Sequence, residues 1–187
     1  MAKINVKFKK LLEDAVIPKY AHNGDIGMDV VATQLEYDAE TDTYIYYTDL
    51  ACETKKGVGI LVFPRSSNSK TDCYLTNSVG LVDSATYRGN IQLRYKNRTS
   101  MNARIELEAT HCWNTLPWYK KLFISYEEIY KQIKGHYILT ALQFAPYQVG
   151  EKCGQFVVVE FPEVSVKVGK KLSDTERGEG GFGSTGK

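Results

Sequence analysis

The chain of 187 residues, 43% hydrophobic and 25% charged, is long enough for one domain with its own core and too apolar to be intrinsically disordered. Its 24 Lys and Arg residues nearly balance 22 Asp and Glu residues, and the net charge of +2 argues against direct nucleic-acid binding, which needs a clustered excess of cations. No apolar run approaches the ~20 residues of a membrane span, so we expect a soluble, cytoplasmic protein.

Alternating apolar and polar residues predict a chain made mainly of β-strands. In chain order, the predicted strands are residues 4–8, 28–33, 34–37, 44–47, 57–63, 90–96, 104–108, 137–144, 156–161 and 164–168. The third and fourth are expected to pair across a polar turn, and the fifth is apolar on both faces, as in a buried strand. Short strands separated by turns predict an all-β barrel or sandwich.

Residues 119–134 have helical rather than strand periodicity. The apolar stripe of this segment consists of Leu122, Phe123, Tyr126, Ile129, Tyr130 and Ile133. Gly135 follows where a helix is expected to stop. We therefore predict a helical insertion at about residues 97–135. Packing of its apolar stripe on its own domain is the favoured interpretation, and docking of a protein partner is the alternative.

The composition changes at residue 169, where Gly, Ser, Thr and charged residues replace apolar ones. We predict a β-barrel domain over residues 1–168 and a flexible C-terminal arm over residues 169–187. The glycines, the hydroxyls of Ser184 and Thr185 and the Arg177 guanidinium suit phosphate binding. A flexible solvated tail is the alternative, which the exposed aromatic Phe182 makes less satisfactory. The dinucleotide-binding motif is excluded because it has to follow a strand and open a helix.

The four cysteines lie far apart in the chain, at Cys52, Cys73, Cys112 and Cys153. A zinc site needs closely spaced thiolates or histidines, so this spacing disfavours one. We expect reduced thiols, because a chain with its own core needs no disulfides.

Three turn segments carry groups suited to phosphate. Arg65, Ser66 and Ser67 follow the predicted buried strand, Gln155 opens a later strand, and Asp29 lies near a turn. A cation and hydroxyls at a strand exit suit an anion, and a carboxylate could contact a metal-bound water. Ordinary polar turns are the alternative for each segment taken alone.

Residues 77–90 contain the groups that a nucleoside site needs. The Asn77 amide presents an acceptor and a donor in one plane, which matches a pyrimidine edge. Asp83 ends an apolar stretch, so partial desolvation would suit it to act as a base, and Tyr87 could stack on a sugar. A plain β-turn explains Asp83 but leaves Asn77 and Tyr87 unexplained.

In chain order, these segments resemble the five motifs of the trimeric dUTP diphosphatases (dUTPases). Residues 26–30, 64–67, 77–90, 150–155 and 177–186 are similar to motifs one to five, and the last, R-G-E-G-G-F-G-S-T-G, is the most specific. The chain departs from the family in having three residues between Asp83 and Tyr87 instead of two, and Gly154 where Ala is commoner. The long segment between Lys96 and Gly150 is similar to insertions of phage-type dUTPases.

The resemblance implies a jelly-roll-like β-barrel that forms a homotrimer, with each active site assembled from three chains. It implies hydrolysis of dUTP to dUMP and pyrophosphate, which keeps uracil out of DNA. Asp83 would activate the water that attacks the α-phosphate, Asn77 would read uracil, and Tyr87 would pack on deoxyribose. The other implied substrate-binding residues are Arg65, Ser66, Ser67, Gly80, Gln155, Arg177, Phe182, Gly183, Ser184 and Thr185. The implied cofactor is Mg²⁺, held by the phosphates and water and contacted by Asp29 through water.

Two alternatives remain open on the sequence alone. One is a dCTP deaminase-like enzyme of the same superfamily, which would share the barrel and the triphosphate site. Asn77, Asp83 and the complete C-terminal arm favour hydrolysis without deamination. The other is a dUTPase scaffold with a regulatory role, in which the insertion binds a protein partner.

Overall fold

The computed structural model describes residues 3–176 and 178–179, and within them the chain forms ten strands and two α-helices. The strands are β1 (Lys7–Lys10), β2 (Met28–Val31), β3 (Gln34–Asp38), β4 (Thr43–Tyr47), β5 (Leu50–Glu53), β6 (Val58–Phe63), β7 (Cys73–Leu75), β8 (Gly80–Val82), β9 (Gln92–Asn97) and β10 (Lys152–Glu160). The helices are α1 (Met101–Thr115) and α2 (Tyr126–Thr140), and short 3-10 turns cover Ser66–Lys70, Lys120–Leu122 and Ala141–Phe144. None of the described helices is long and apolar enough to cross a membrane.

The strands form two four-stranded antiparallel sheets, ordered β2-β10-β6-β8 and β3-β4-β9-β7, and a small β1-β5 sheet. The main core lies between the two larger sheets, because it combines Val30, Ile60 and Phe156 from one with Tyr46 and Leu93 from the other. An all-β, jelly-roll-like fold with a helical insertion is therefore confirmed. The described strands make separate sheets and do not close into a barrel.

Buried tyrosines give this core its polar connections. Tyr46 Oη donates to the Tyr147 main-chain oxygen at 2.9 Å, and Tyr95 Oη donates to that of Cys153 at 2.7 Å. Burial raises the pKa of both phenols, so they remain protonated donors. Since each hydroxyl has a main-chain acceptor, the large aromatic rings are buried in the core without leaving a buried hydroxyl unpaired.

The insertion is a helical hairpin and not a single helix. Ser100 caps α1 by accepting from the Ala103 N–H, and Ser125 forms a capping box with Glu128 at the start of α2. The base of the hairpin buries Met101 and Ile105 of α1 against Ala141, with Tyr37 of β3 packed on this cluster. Of the predicted apolar stripe, Tyr130 and Ile133 pack on this cluster, whereas Leu122 and Phe123 are exposed, so the stripe packs on its own domain only in part.

Three strand predictions are wrong: two of the segments are helical, and the third forms no regular structure. Residues 104–108 lie in α1, where Met101, Ile105 and Ala109 recur at helical spacing and are buried. Residues 137–144 continue α2 and the following 3-10 turn, and Gly135 does not end the helix. One helical glycine costs only about 1 kcal/mol, which the capped and packed helix outweighs. Residues 164–168 form no strand, and Val164, Val166 and Val168 are exposed.

Candidate active site

A cavity of about 400 Å³ lies where the residues around β8 meet the start of β9. Val62, Leu75 and Ile91 are among its apolar lining residues. The lining also includes four residues predicted to bind or act on substrate, namely Asn77, Gly80, Asp83 and Tyr87. The structure therefore places Asn77, Gly80, Asp83 and Tyr87 in one cavity, while Phe182, the predicted cover over uracil, lies outside the described residues.

Strand pairing sets the position of Asn77. In the β6–β8 register Gly80 lies opposite Val62, and a Cβ added to Gly80 would stand 3.0 Å from the Val62 Cβ and 3.3 Å from the Asn77 Nδ2. Glycine at this position therefore lets the Asn77 amide approach the strand closely. Ser78, between them in the chain, has a left-handed φ of 58° and makes the tight turn that this approach requires.

A helical turn places Asp83 and Tyr87 in the same cavity. The main-chain oxygen of Asp83 accepts from the Thr86 and Tyr87 N–H groups at 2.9 and 2.8 Å. Asp83 and Tyr87 are separated by one residue more than in the dUTPase pattern. The turn accommodates this extra residue, and both side chains line the cavity. The Asp83 carboxylate is exposed in a single chain, so the desolvation expected from its apolar flank is not seen here.

Hydrogen bonds made by Ser84 and Arg88 stabilise the turn that carries Asp83. The Ser84 side chain is fully buried, within 2.7 Å of the Thr54 hydroxyl, and it donates to the Val58 main-chain oxygen at 3.2 Å. The Arg88 guanidinium donates to the main-chain oxygens of Ser84 and Ala85 at 2.9 and 3.0 Å. Arg88 therefore stabilises the turn by donating hydrogen bonds to two of its main-chain oxygens.

A second cluster forms around Asp29 on a neighbouring part of the sheet. Arg65 Nε lies 3.2 Å from Asp29 Oδ1, and Lys152 Nζ lies 2.7 Å from Asp29 Oδ2. Burial alone would raise the Asp29 pKa, but the hydrogen bond from Lys152 and the two cationic charges outweigh it and hold the pKa below its ordinary value. Gln155 pairs with Asp29 across β2 and β10, and its Oε1 would lie 3.0 Å from a Cβ at Gly27.

Ser66 and Ser67 begin the 3-10 turn that follows Arg65. The Ser67 Oγ is buried and has no hydrogen-bond partner among the described residues. The turn places the two serine hydroxyls directly after the Arg65 cation in the chain, and this combination of groups suits an anionic ligand. Arg177, Phe182, Gly183, Ser184 and Thr185, which the sequence predicts for the arm, lie outside the described residues.

The donor set of the second cluster fits an indirect contact with Mg²⁺. Both oxygens of Asp29 are already paired with cations, which leaves no free carboxylate for direct coordination. Within residues 3–176 and 178–179, no three His, Cys, Asp or Glu side chains lie close enough to form a metal cage. Because Mg²⁺ commonly keeps several waters when it binds with phosphates, contact through water is consistent with this arrangement.

The cavity and the Asp29 cluster remain two sites in a single chain, because neither Arg65 nor Gln155 lines the cavity. The structure also adds polar residues that sequence reasoning missed. Lys152 joins the Asp29 cluster, and Asn90 and Arg94 line the cavity. Lys152 and Asn90 fall within the segments singled out by motif, but only the strand register and the turn reveal what they contact.

The chain is similar to proteins of one known family. The dUTPase family model matches residues 13–112, just over half of the chain. A deoxyuridine 5'-triphosphate nucleotidohydrolase from Picosynechococcus sp. is 29% identical over 98% of this chain and 99% of its own length.

Two solved structures share the fold. The Staphylococcus bacteriophage 80alpha dUTPase with dUPNHPP has a TM-score of 0.64 and 21% identity, covering 97% of this chain and 98% of its own. A variant dUTPase from phage phi11 of S. aureus, described as coordinating a structural Mg(II) ion, has a TM-score of 0.56 and 19% identity, covering 90% and 98%. With the family model matched over more than half of its length, this chain belongs to the dUTPase family.

Proposed function

We propose that the protein hydrolyses dUTP to dUMP and pyrophosphate. The observation that carries this proposal is the cavity that gathers Asn77, Asp83 and Tyr87, in a chain of the dUTPase family. The name of its relative from Picosynechococcus sp., a deoxyuridine 5'-triphosphate nucleotidohydrolase, supports the same substrate. Hydrolysis of dUTP lowers the supply of uracil nucleotides that a polymerase can incorporate into DNA.

The nucleoside half of the substrate occupies the cavity. The Asn77 amide donates to and accepts from the uracil edge, and Gly80 leaves room for the base beside the strand. A site built to pair with a base edge discriminates strongly, because a wrong base leaves its polar groups unpaired. Tyr87 packs against deoxyribose and leaves no room for a 2'-hydroxyl.

Asp83 is the general base. Its carboxylate takes a proton from water as the water oxygen bonds to the α-phosphorus, and the bond from that phosphorus to the bridging oxygen breaks. The electron pair leaves with pyrophosphate, and dUMP remains. Asp83 suits this part because it is the sole carboxylate among the described residues that line the cavity, and it makes no ion pair there.

Arg65, Ser66, Ser67 and Gln155 hold the phosphates. The arm residues Arg177, Ser184 and Thr185 complete the donor set at the γ-phosphate, with the Gly183 N–H, and Phe182 covers uracil. Asp29 would hold Mg²⁺ through water, and the bound ion would neutralise phosphate charge. Several aligned donors around the triphosphate stabilise the charge that builds up on pyrophosphate as it leaves.

A homotrimer would unite the two clusters. In one chain, Arg65 and Gln155 do not line the cavity that holds Asp83, yet hydrolysis needs the α-phosphate beside both sets of groups. Assembly of each active site from several chains removes this separation. Light scattering coupled to size exclusion is expected to give three times the monomer mass.

Pyrophosphate release tests the proposed function. We expect release from dUTP to exceed release from dCTP, dTTP and UTP by at least about 10²-fold. Cytosine leaves polar groups of the site unpaired, whereas the 5-methyl group of thymine and the 2'-hydroxyl of UTP are excluded by lack of space. Chelation of Mg²⁺ is expected to slow release from dUTP. Ammonia release from dCTP would instead support the deaminase alternative, and release of neither product would contradict both.

The tip of the helical hairpin favours a second role in protein binding. Trp118, Leu122 and Phe123 are 77, 71 and 87% exposed there, whereas the hairpin base is buried. Aromatic side chains at this exposure are typical of interaction surfaces. A dUTPase scaffold with an added binding surface is therefore our second candidate function.

Replacement of the hairpin by a short Gly/Ser loop tests whether hydrolysis depends on it. All the proposed catalytic and binding residues lie outside residues 101–140, so we expect kcat/KM for dUTP to change less than about threefold. A matched control replaces only residues 116–124 and leaves the buried base intact. If the full replacement loses both assembly and activity while the control keeps them, the hairpin base is part of the core.

A further inference from the structure

One arginine side chain joins the turn that carries the proposed general base to a strand of the small sheet. Arg88 Nη1 donates to the main-chain oxygens of Ser84 and Tyr87, each at 2.9 Å, and Nη2 donates to that of Ala85 at 3.0 Å. Nη1 also makes a longer contact, of 3.4 Å, with the Cys52 main-chain oxygen in β5. A single guanidinium therefore serves three carbonyl groups of one turn.

Arg88 holds the part of the turn that the sheet does not reach. Ser84 is also held from the core, because the Thr54 N–H donates to its main-chain oxygen at 3.1 Å. The oxygens of Ala85 and Tyr87 accept from no other donor within residues 3–176 and 178–179. A guanidinium presents five N–H donors in a fixed plane, whereas a lysine ammonium has three donors at one point. Lysine therefore cannot serve all these acceptors at once.

The position of the Asp83 carboxylate depends on this turn. The carboxylate makes no hydrogen bond or ion pair with the described residues, so only the main chain holds it in place. The Asp83 main-chain oxygen accepts from the Thr86 and Tyr87 N–H groups, which ties Asp83 to the residues that Arg88 holds. A general base has to lie within hydrogen-bond reach of the attacking water, and a misplacement of about 1 Å can cost about 10²-fold in rate.

We propose that Arg88 is a positioning residue for hydrolysis, whose guanidinium keeps the turn in the conformation that holds Asp83 within reach of the attacking water. The inference rests on the proposed function and adds to it a residue that does not line the nucleoside cavity. The Arg88 side chain lines instead a second cavity of about 460 Å³, together with Lys7, Lys9 and Glu53.

A double-mutant cycle on kcat tests whether Arg88 acts through Asp83. Arg88→Ala is expected to lower kcat for dUTP about 10- to 100-fold, and to change the affinity for a non-hydrolysable dUTP analogue less than about threefold. In an Asp83→Asn background the same substitution is expected to lower kcat less than about twofold, because no base remains to be positioned. Arg98→Ala is the matched control, since it removes an exposed arginine that lines neither cavity, and it is expected to leave kcat unchanged.

Free guanidinium ion gives a second measurement. The Arg88 side chain is 47% exposed, and Glu53 Oε2 lies 4.0 Å from its Nη2, so a guanidinium ion from solution has access to the vacated position and a carboxylate beside it. Guanidinium at about 50 mM is expected to raise kcat of Arg88→Ala at least about threefold, and sodium at the same ionic strength to leave it unchanged. Arg88→Lys keeps the charge without the fork, and its kcat is expected to stay at least about fivefold below that of the wild type.

Equal losses of kcat in the two backgrounds would show that Arg88 acts independently of Asp83 and would overturn the proposal. A lower melting temperature with unchanged kcat would leave Arg88 a structural role only, and full activity of Arg88→Lys would exclude the fork. If circular dichroism shows that Arg88→Ala is unfolded, Arg88→Lys takes its place in the cycle. If the wild-type protein released no pyrophosphate, the proposed function would fail. Hydrogen–deuterium exchange at residues 84–88, expected to be faster in Arg88→Ala and unchanged in Arg98→Ala, would still decide whether Arg88 orders the turn.

Discussion

Asp83→Asn is expected to lower kcat for dUTP hydrolysis about 10²- to 10⁴-fold, the usual contribution of a positioned general base. Asparagine has nearly the same shape but cannot take the proton of the attacking water. The side chain is exposed to the cavity and makes no described hydrogen bond or ion pair, so the substitution removes no internal contact. Binding of a non-hydrolysable dUTP analogue, measured by calorimetry, should therefore change less than about threefold.

Asp14→Asn is a matched control, since it makes the same chemical change at an exposed site away from the cavity. It is expected to keep wild-type kcat and affinity. Near-normal turnover by Asp83→Asn would remove Asp83 from the mechanism. A large loss of analogue affinity with unchanged kcat would show that Asp83 binds substrate and does not activate water.

Local patterns predicted the sheets well where the partner strand is close in sequence. The pairing of residues 34–37 with 44–47 is confirmed in the β3–β4 hairpin, and the doubly apolar segment at 57–63 is the central strand β6. Strands β5, β7 and β8 are only three or four residues long, and alternation is too weak a signal at that length. Helix α1 was missed because Ile105 and Leu107 alternate as in a strand, although only Ile105 is buried.

The motif resemblance alone is enough to group Asn77, Asp83 and Tyr87 in one site. The resemblance does not identify the residue that each side chain contacts. The contact between Lys152 and Asp29 depends on the β2–β10 register, and that between Asn90 and Asp49 on a left-handed turn. Both are long-range pairings, which the order of residues along the chain does not encode locally.

Truncation after Lys171 is expected to leave a folded, assembled protein that hydrolyses dUTP poorly. Residues 161–176 form no helix or strand, and the large apolar side chains Val164, Val166, Val168 and Leu172 are 74 to 102% exposed. The described core therefore gains little from this end of the chain, and the melting temperature should shift by less than about 4 °C, the effect of roughly 1 kcal/mol.

Activity should respond very differently to the same truncation. The deleted residues include Arg177, Ser184 and Thr185, the proposed donors to the γ-phosphate, and Phe182, the proposed cover over uracil. Loss of preorganised donors and of water exclusion is expected to lower kcat/KM for dUTP about 10²- to 10³-fold. Removal of Lys187 alone is the control, because it shortens the chain without touching these residues. A truncated protein that melts far below the full chain would show that the arm is structural, and one that keeps full activity would remove the arm from the active site.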